Sequence, residues 1–211
     1  MKIVDVRNLL AKHPAKEYGK RSQTAIRYIA IHHSATQGGD AFSFARYHVN
    51  SLDWPGIGYH YVILIDGTIQ WTNDLTTASY HVKDYNSRTV GVCLVGNFVD
   101  GQLNPSQKEA LYQLCRSLLR QLNLNPEDIR GHNEFLPGYT QCPALNMDEI
   151  RRDLAVIQEG VIEIYVDGLK IEVTGELRDD VTYVPLRAFS EALGFQVNWD
   201  GDNERVYIET K

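Results

Sequence analysis

The 211-residue chain has few cysteines, few methionines and no long apolar run. An odd count of three cysteines, Cys93, Cys115 and Cys142, with no secretion-type leader, does not suggest a disulfide framework. No stretch approaches the ~20 consecutive apolar residues of a membrane-spanning helix, so no membrane span is expected. The opening MKIVDVRNLLAKHPAKEY sets Asp5 and Arg7 inside its apolar run and does not read as a signal peptide. The expectation is a protein made in the cytoplasm. A basic excess is also missing. The formal net charge is −6, which argues against nucleic acid as the main partner, because a phosphate backbone needs a basic surface.

What is present suits a globular core, with 43% hydrophobic and 23% charged residues. The charge is uneven. Residues 1–160 carry 16 acidic and 16 basic side chains, whereas residues 161–211 carry 11 acidic and 5 basic. Length and charge together predict one domain over 1–159 and a small appended unit over 160–211.

The first clear strand in the pattern is Ile26–Ile31, apolar on both faces and running into His32 and His33. Asp40–Ser51 has helical spacing with Asp40 placed to cap it. Tyr59–Ile65, the pair Asp66-Gly67 and Thr68–Trp71 predict a hairpin with a tight primed turn. Thr89–Val95 reads as a second buried strand. Pro105–Leu122 predicts a helix with Leu111, Leu114, Cys115, Leu118, Leu119 and Leu122 on one face. Ile129–Gly131 reads as a last short strand and Asp148–Gln158 as a closing helix. The alternation predicts an α/β fold with a mixed central β-sheet flanked by helices. Beyond Gly160 short strands and one helix, Leu186–Leu193, with Gly194 at its C-cap, predict a small α+β domain. Phe195 and Trp199 are expected to supply its aromatic core.

Candidate metal ligands end different elements. His32 and His33 close the first strand, His132 follows a short strand, and Cys142 lies in the loop GYTQCP, where no core requires it. Cys93 and Cys115 sit in apolar runs and read as buried small hydrophobes. Imidazole and thiolate suit tetrahedral zinc, and three protein ligands leave a fourth position open for chemistry. Periodicity does not choose between His32 and His33, because neighbouring strand residues face opposite ways.

Four segments occur in order: YIAIHHSAT, GIGYHYVILIDGTI, ASYHVKDYNSRTVGVCLVGNF and GHNEFLPGYTQCP. Together they resemble the zinc-dependent N-acetylmuramoyl-L-alanine amidase family of phage endolysins, bacterial autolysins and peptidoglycan recognition proteins, over roughly residues 20–155. The resemblance implies a Zn2+ cofactor held by His32, His132 and Cys142. It implies a catalytic role for Tyr59 and for Thr140, at a position that is Lys in some members. It also places His81 and Asn86 along the substrate groove. The implied reaction is hydrolysis of the amide between N-acetylmuramic acid and L-alanine of peptidoglycan. The implied site of action is the cell wall after release.

One departure stands out: relatives often carry an acidic residue where VGVCL has Cys93. Among the remaining candidates, His60 reads as structural, His33 as packed beneath the site, His13 and His48 as surface residues, and Glu134 equally as a loop organiser or an exposed residue. The pattern from YVDGLKIEV to VYIE resembles the copper amine oxidase N-terminal-like domain, which implies a wall-binding or dimerising module and hence a candidate homo-oligomer. Competing readings are a non-catalytic peptidoglycan-binding module and an amidase for soluble muropeptides.

Overall fold

The computed structural model describes residues 1–158, 162–178 and 181–210. The chain divides into two compact units, Met1–Leu154 and Ala155–Lys211. The boundary expected at residue 160 falls in 159–161, outside the described residues.

In chain order the first unit contains β1 (Ile3–Asp5), β2 (Gly19–Lys20), β3 (Tyr28–His33), α1 (Ala41–Asn50), β4 (Tyr61–Ile63), β5 (Ile69–Trp71) and β6 (Thr77–Ala78). These are followed by β7 (Thr89–Leu94), α2 (Pro105–Leu122), β8 (Ile129–Gly131), the short α3 (His132–Phe135) and α4 (Met147–Gln158). Six strands form one sheet in the order β1-β5-β4-β7-β3-β8. Only β4 and β5 pair antiparallel; the other neighbours are parallel. The predicted mixed α/β sheet is therefore the observed one.

The strands β3 and β7 are covered on both faces, which is why their sequences read as continuous apolar runs. One face presents Ile29, Ile31, Val90, Val92 and Leu94 to the buried stripe of α2, namely Leu111, Leu114, Cys115, Leu118 and Leu119, with Ile150 and Leu154 of α4 beside it. Full burial of such side chains is worth about 1.5–3 kcal/mol each. The helix α2 starts where predicted because the Asn104 side chain accepts from the Gln107 N–H at 2.9 Å and Pro105 occupies the first turn. It stops at Asn123, which takes the left-handed conformation at φ +52°. On the other face, α1 sets Ala41 and Ala45 against Val62, Cys93 and Val95. Asp40 caps α1 reciprocally with Ser43.

Two local expectations are corrected, and one strand is additional. The Asp66-Gly67 hairpin is not a two-residue primed turn. Gly67 alone turns to positive φ (+82°), its N–H donates to the Leu64 carbonyl, and the Leu64 N–H donates to Thr68. This is a three-residue loop with a glycine bulge. His48 is not a surface residue; it is buried in α1, and its Nδ1 accepts from the Gly58 N–H at 3.0 Å. The strand β1, which pairs with β5 at the sheet edge, was not apparent from pattern, since it is three exposed residues long.

The second unit contains β9 (Ile162–Val166), β10 (Leu169–Arg178), β11 (Val181–Tyr183), α5 (Leu186–Ala192), β12 (Phe195–Asp200) and β13 (Arg205–Thr210). It holds an antiparallel sheet in the order β11-β10-β9 and a separate β12–β13 hairpin. The helix α5 ends before Gly194 at φ +86°, as expected. Trp199 is not a core residue. It is 58% exposed near the end of β12, while Val197, two residues earlier on the same face, is buried.

Candidate metal centre

The two histidines that close β3 point to opposite faces. His33 pairs with Leu94, itself paired with Ile63, on the dry face, where its Nδ1 accepts from the Phe98 N–H at 3.2 Å. His32 pairs with Cys93, itself paired with Val62, on the other face. There its ring lies 4.6 Å from the His132 ring, and its Nδ1 lies 3.8 Å from Cys142 Sγ. Donor atoms of His32, His132 and Cys142 all lie within 4.8 Å of one another. Alternation in β3 thus brings only His32 of the pair into this cluster.

Each member is anchored. His132 opens α3 directly after β8, and Glu134 fixes that junction. Its carboxylate accepts from the Gly131 N–H at 2.7 Å and takes both guanidinium nitrogens of Arg151 at 2.9 Å. Glu134 is therefore a loop organiser. Cys142 is held by its neighbours on three sides. The Asn133 N–H donates to its carbonyl at 2.7 Å, its own N–H donates to Thr140 Oγ1 at 3.1 Å, and the His33 N–H donates to its sulfur at 3.3 Å.

Burial pushes the Cys142 thiol up to about 11, and the His33 N–H opposes that shift. Burial likewise drives His32 well below its ordinary value, with His132 and His33 adding to it. Two neutral imidazoles and a thiol whose ionised form lacks a buried cation make a set that a divalent metal completes. The spacing suits it: Zn–S of ~2.3 Å and Zn–N of ~2.0 Å put tetrahedral ligands roughly 3–4 Å apart.

Tyr59 lies outside β4, with its ring 5.3 Å from His32 and 5.6 Å from His48. Burial raises its phenol well above 10, and Cys93 and Cys142 beside it add to the shift. Cys93 is fully buried in β7 and touches Tyr59, so this strand position offers a thiol and no carboxylate. His60 is structural as expected: its Nδ1 accepts from the Gly91 N–H and its Nε2 donates to the Thr77 carbonyl, each at 3.0 Å.

His81 comes to the site with both ring nitrogens engaged internally, and Asn86 holds it there through its side-chain oxygen. His81 is 8% exposed; its Nδ1 lies 3.0 Å from His32 Nε2 and its Nε2 lies 3.2 Å from Thr89 Oγ1. The Asn86 side-chain oxygen accepts from the His81 and Val82 N–H groups at 2.9 and 2.7 Å. Thr89 and Gly91 were missed by sequence reasoning. A glycine between valines in a buried strand signals close approach of another group. A Cβ at Gly91 would lie 2.8 Å from His81 Nδ1.

Residues 22–145 match the family described as N-acetylmuramoyl-L-alanine amidase. The chain belongs to this family. The amidase is 33% identical over 138 residues to the endolysin of Klebsiella phage KP32, covering 62% of this chain and 87% of that one. It is 28% identical over 152 residues to peptidoglycan-recognition protein SC2 of Drosophila melanogaster, covering 64% and 82%. Among solved structures it resembles the N-acetylmuramoyl-L-alanine amidase LysC from Clostridium intestinale, at 27% identity and a TM-score of 0.61, covering 73% of this chain and 97% of that one. Residues 153–208 match the copper amine oxidase N-terminal domain. No helix among the described residues is long and apolar enough to cross a membrane.

Proposed function

We propose that the amidase is a zinc-dependent peptidoglycan hydrolase of the phage endolysin type, with His32, His132 and Cys142 as its metal ligands. The observation that carries this is the convergence of those three donor sets within 4.8 Å in a chain whose family cleaves the amide between N-acetylmuramic acid and L-alanine. Zinc bound there supplies a water acidified toward pKa ~7 and a Lewis acid for the amide carbonyl.

The chain's own residues do the rest. The raised pKa of Tyr59 keeps its phenol protonated, so it can donate to the carbonyl oxygen as that oxygen gains charge. Thr140 accepts the Cys142 N–H through its oxygen, which leaves its own proton for donation to the same developing charge. No lysine stands at 140, so this second contact is a neutral hydrogen bond. Cys93 offers no carboxylate to act as a base beside Tyr59. Asn86 shapes the groove by tying down the 81–86 turn through its side-chain oxygen. The presence of all three ligands favours catalysis over a binding-only role.

For the second unit we propose wall contact. Tyr183, Trp199 and Tyr207 are exposed on it, giving apolar surface for glycan or peptide, and its acidic excess disfavours anionic wall polymers. Self-association through the same surface is the competing outcome, and sedimentation of the full chain with and without purified wall separates the two.

The reaction is tested by end-group analysis of digested peptidoglycan. Free L-alanine amino groups should appear, with no new reducing sugar ends, and activity should vanish on chelation and return with zinc. New reducing ends would contradict the assignment.

A further inference from the structure

The proton order around His32 can be followed from a group whose role is fixed. A backbone carbonyl only accepts, so the 2.9 Å contact between Thr89 Oγ1 and the Tyr85 carbonyl uses the Thr89 hydroxyl proton. Thr89 Oγ1 can then only accept from His81 Nε2, 3.2 Å away, which puts the His81 proton on Nε2. His81 Nδ1 is thereby left with its lone pair, facing His32 Nε2 at 3.0 Å. His32 must carry its proton on Nε2 to donate into that lone pair. Its Nδ1 is then unprotonated, and it is Nδ1 that faces Cys142 Sγ at 3.8 Å.

We infer that Thr89 and His81 are positioning residues that set the tautomer and ring angle of His32, so that its Nδ1 lone pair is presented to the metal. This inference rests on the reading of His32 as a ligand. It gives His81 a role behind the metal in place of the substrate contact that the family resemblance implies. The fold is arranged around the relay. Gly91 leaves room where any Cβ would lie 2.8 Å from His81 Nδ1. Asn86 ties both N–H groups of the His81–Val82 segment at 2.9 and 2.7 Å. Thr89 is fully buried at the start of β7, where its hydroxyl has no water to turn to. Groups that hold a ligating imidazole through its other nitrogen commonly change metal affinity by 10–100-fold when removed.

The test uses the full chain, in two measurements. Nitrogen-15 NMR of the metal-free wild type should show His32 protonated at Nε2 and His81 protonated at Nε2; a His32 protonated at Nδ1 overturns the relay without recourse to any variant. Competition with a chelator should show zinc bound about 10–100-fold more weakly by Thr89→Val and by His81→Phe, with Thr89→Ser close to wild type because it restores the hydroxyl. Wild-type zinc affinity in Thr89→Val overturns the relay alone. A wild type that shows the expected tautomers and binds no zinc overturns the metal reading and leaves the proton order standing.

Discussion

The two faces of the central strands carry different work, and they do so through alternate residues of the same short segments. In β3 the order Ile29, Ala30, Ile31, His32, His33 sends Ile29, Ile31 and His33 toward α2 and Ala30 and His32 the other way. In β7 the order Val90, Gly91, Val92, Cys93, Leu94 does the same. The dry face is filled by large aliphatics against α2. The opposite face holds small residues: the space at Gly91 is taken by His81, that at Cys93 by Tyr59, and that at Ala30 by Val82 and Phe135. Large side chains on one face give the sheet its rigidity, and small ones on the other make room for chemistry. A site built on strands that are locked from behind is held more closely than one built on loops.

That contrast can be broken from either side. The largest effect expected is from Tyr59→Phe, which removes a hydroxyl and no packing. Wall hydrolysis should fall by about 10²–10⁴-fold while zinc content and the unfolding midpoint stay near wild type. A variant with undiminished hydrolysis would remove Tyr59 from the chemistry. Next is Leu118→Ala on the dry face, which should cost about 2–5 kcal/mol in urea unfolding yet leave zinc affinity of the folded protein unchanged. A matched loss of zinc affinity would show that the faces are not independent.

The smallest effect concerns pH. A thiol raised to about 11 must lose its proton to bind metal, so zinc affinity should weaken as pH falls below that value, by about tenfold per unit. His32 and His132 are both shifted downward by burial, so they lose their protons at lower pH than a free imidazole, and the slope above that range belongs to the thiol. Chelator competition at several pH values reads the slope directly; a slope of zero between pH 6 and 8 would mean that Cys142 is not a ligand.

Much of the scaffold was legible because its signals are local. The α2 stripe and its Pro105 start follow from helical period and cap chemistry alone, and the observed helix has the expected ends. The strands β3 and β7 announce themselves as apolar runs. What the sequence did not disclose depends on long-range placement. β1 is defined by its partner β5 rather than by its own residues. His48 is buried where its Nδ1 accepts from the Gly58 N–H, a partner that helical period does not reveal. Trp199 has the composition of a core residue but lies beyond the stretch of β12 that is buried.

The site divides the same way. Spacing alone left His32 and His33 equivalent; sheet register separates them, and the partner sulfur is 110 residues away. The Thr89–His81–His32 chain joins a strand start, a bend and a strand end, and no periodicity relates those positions. Its one sequence trace is Gly91, a residue that costs a strand stability and is retained where another group must come close.

Cys142 is the ligand on which metal binding and hydrolysis both depend in the proposed mechanism, and its removal is the most direct test. Zinc content and wall lysis should be measured together on Cys142→Ala of confirmed native circular dichroism. The prediction is loss of bound zinc and of lysis with the fold retained. Full lysis by that variant would contradict the metal assignment and the mechanism built on it.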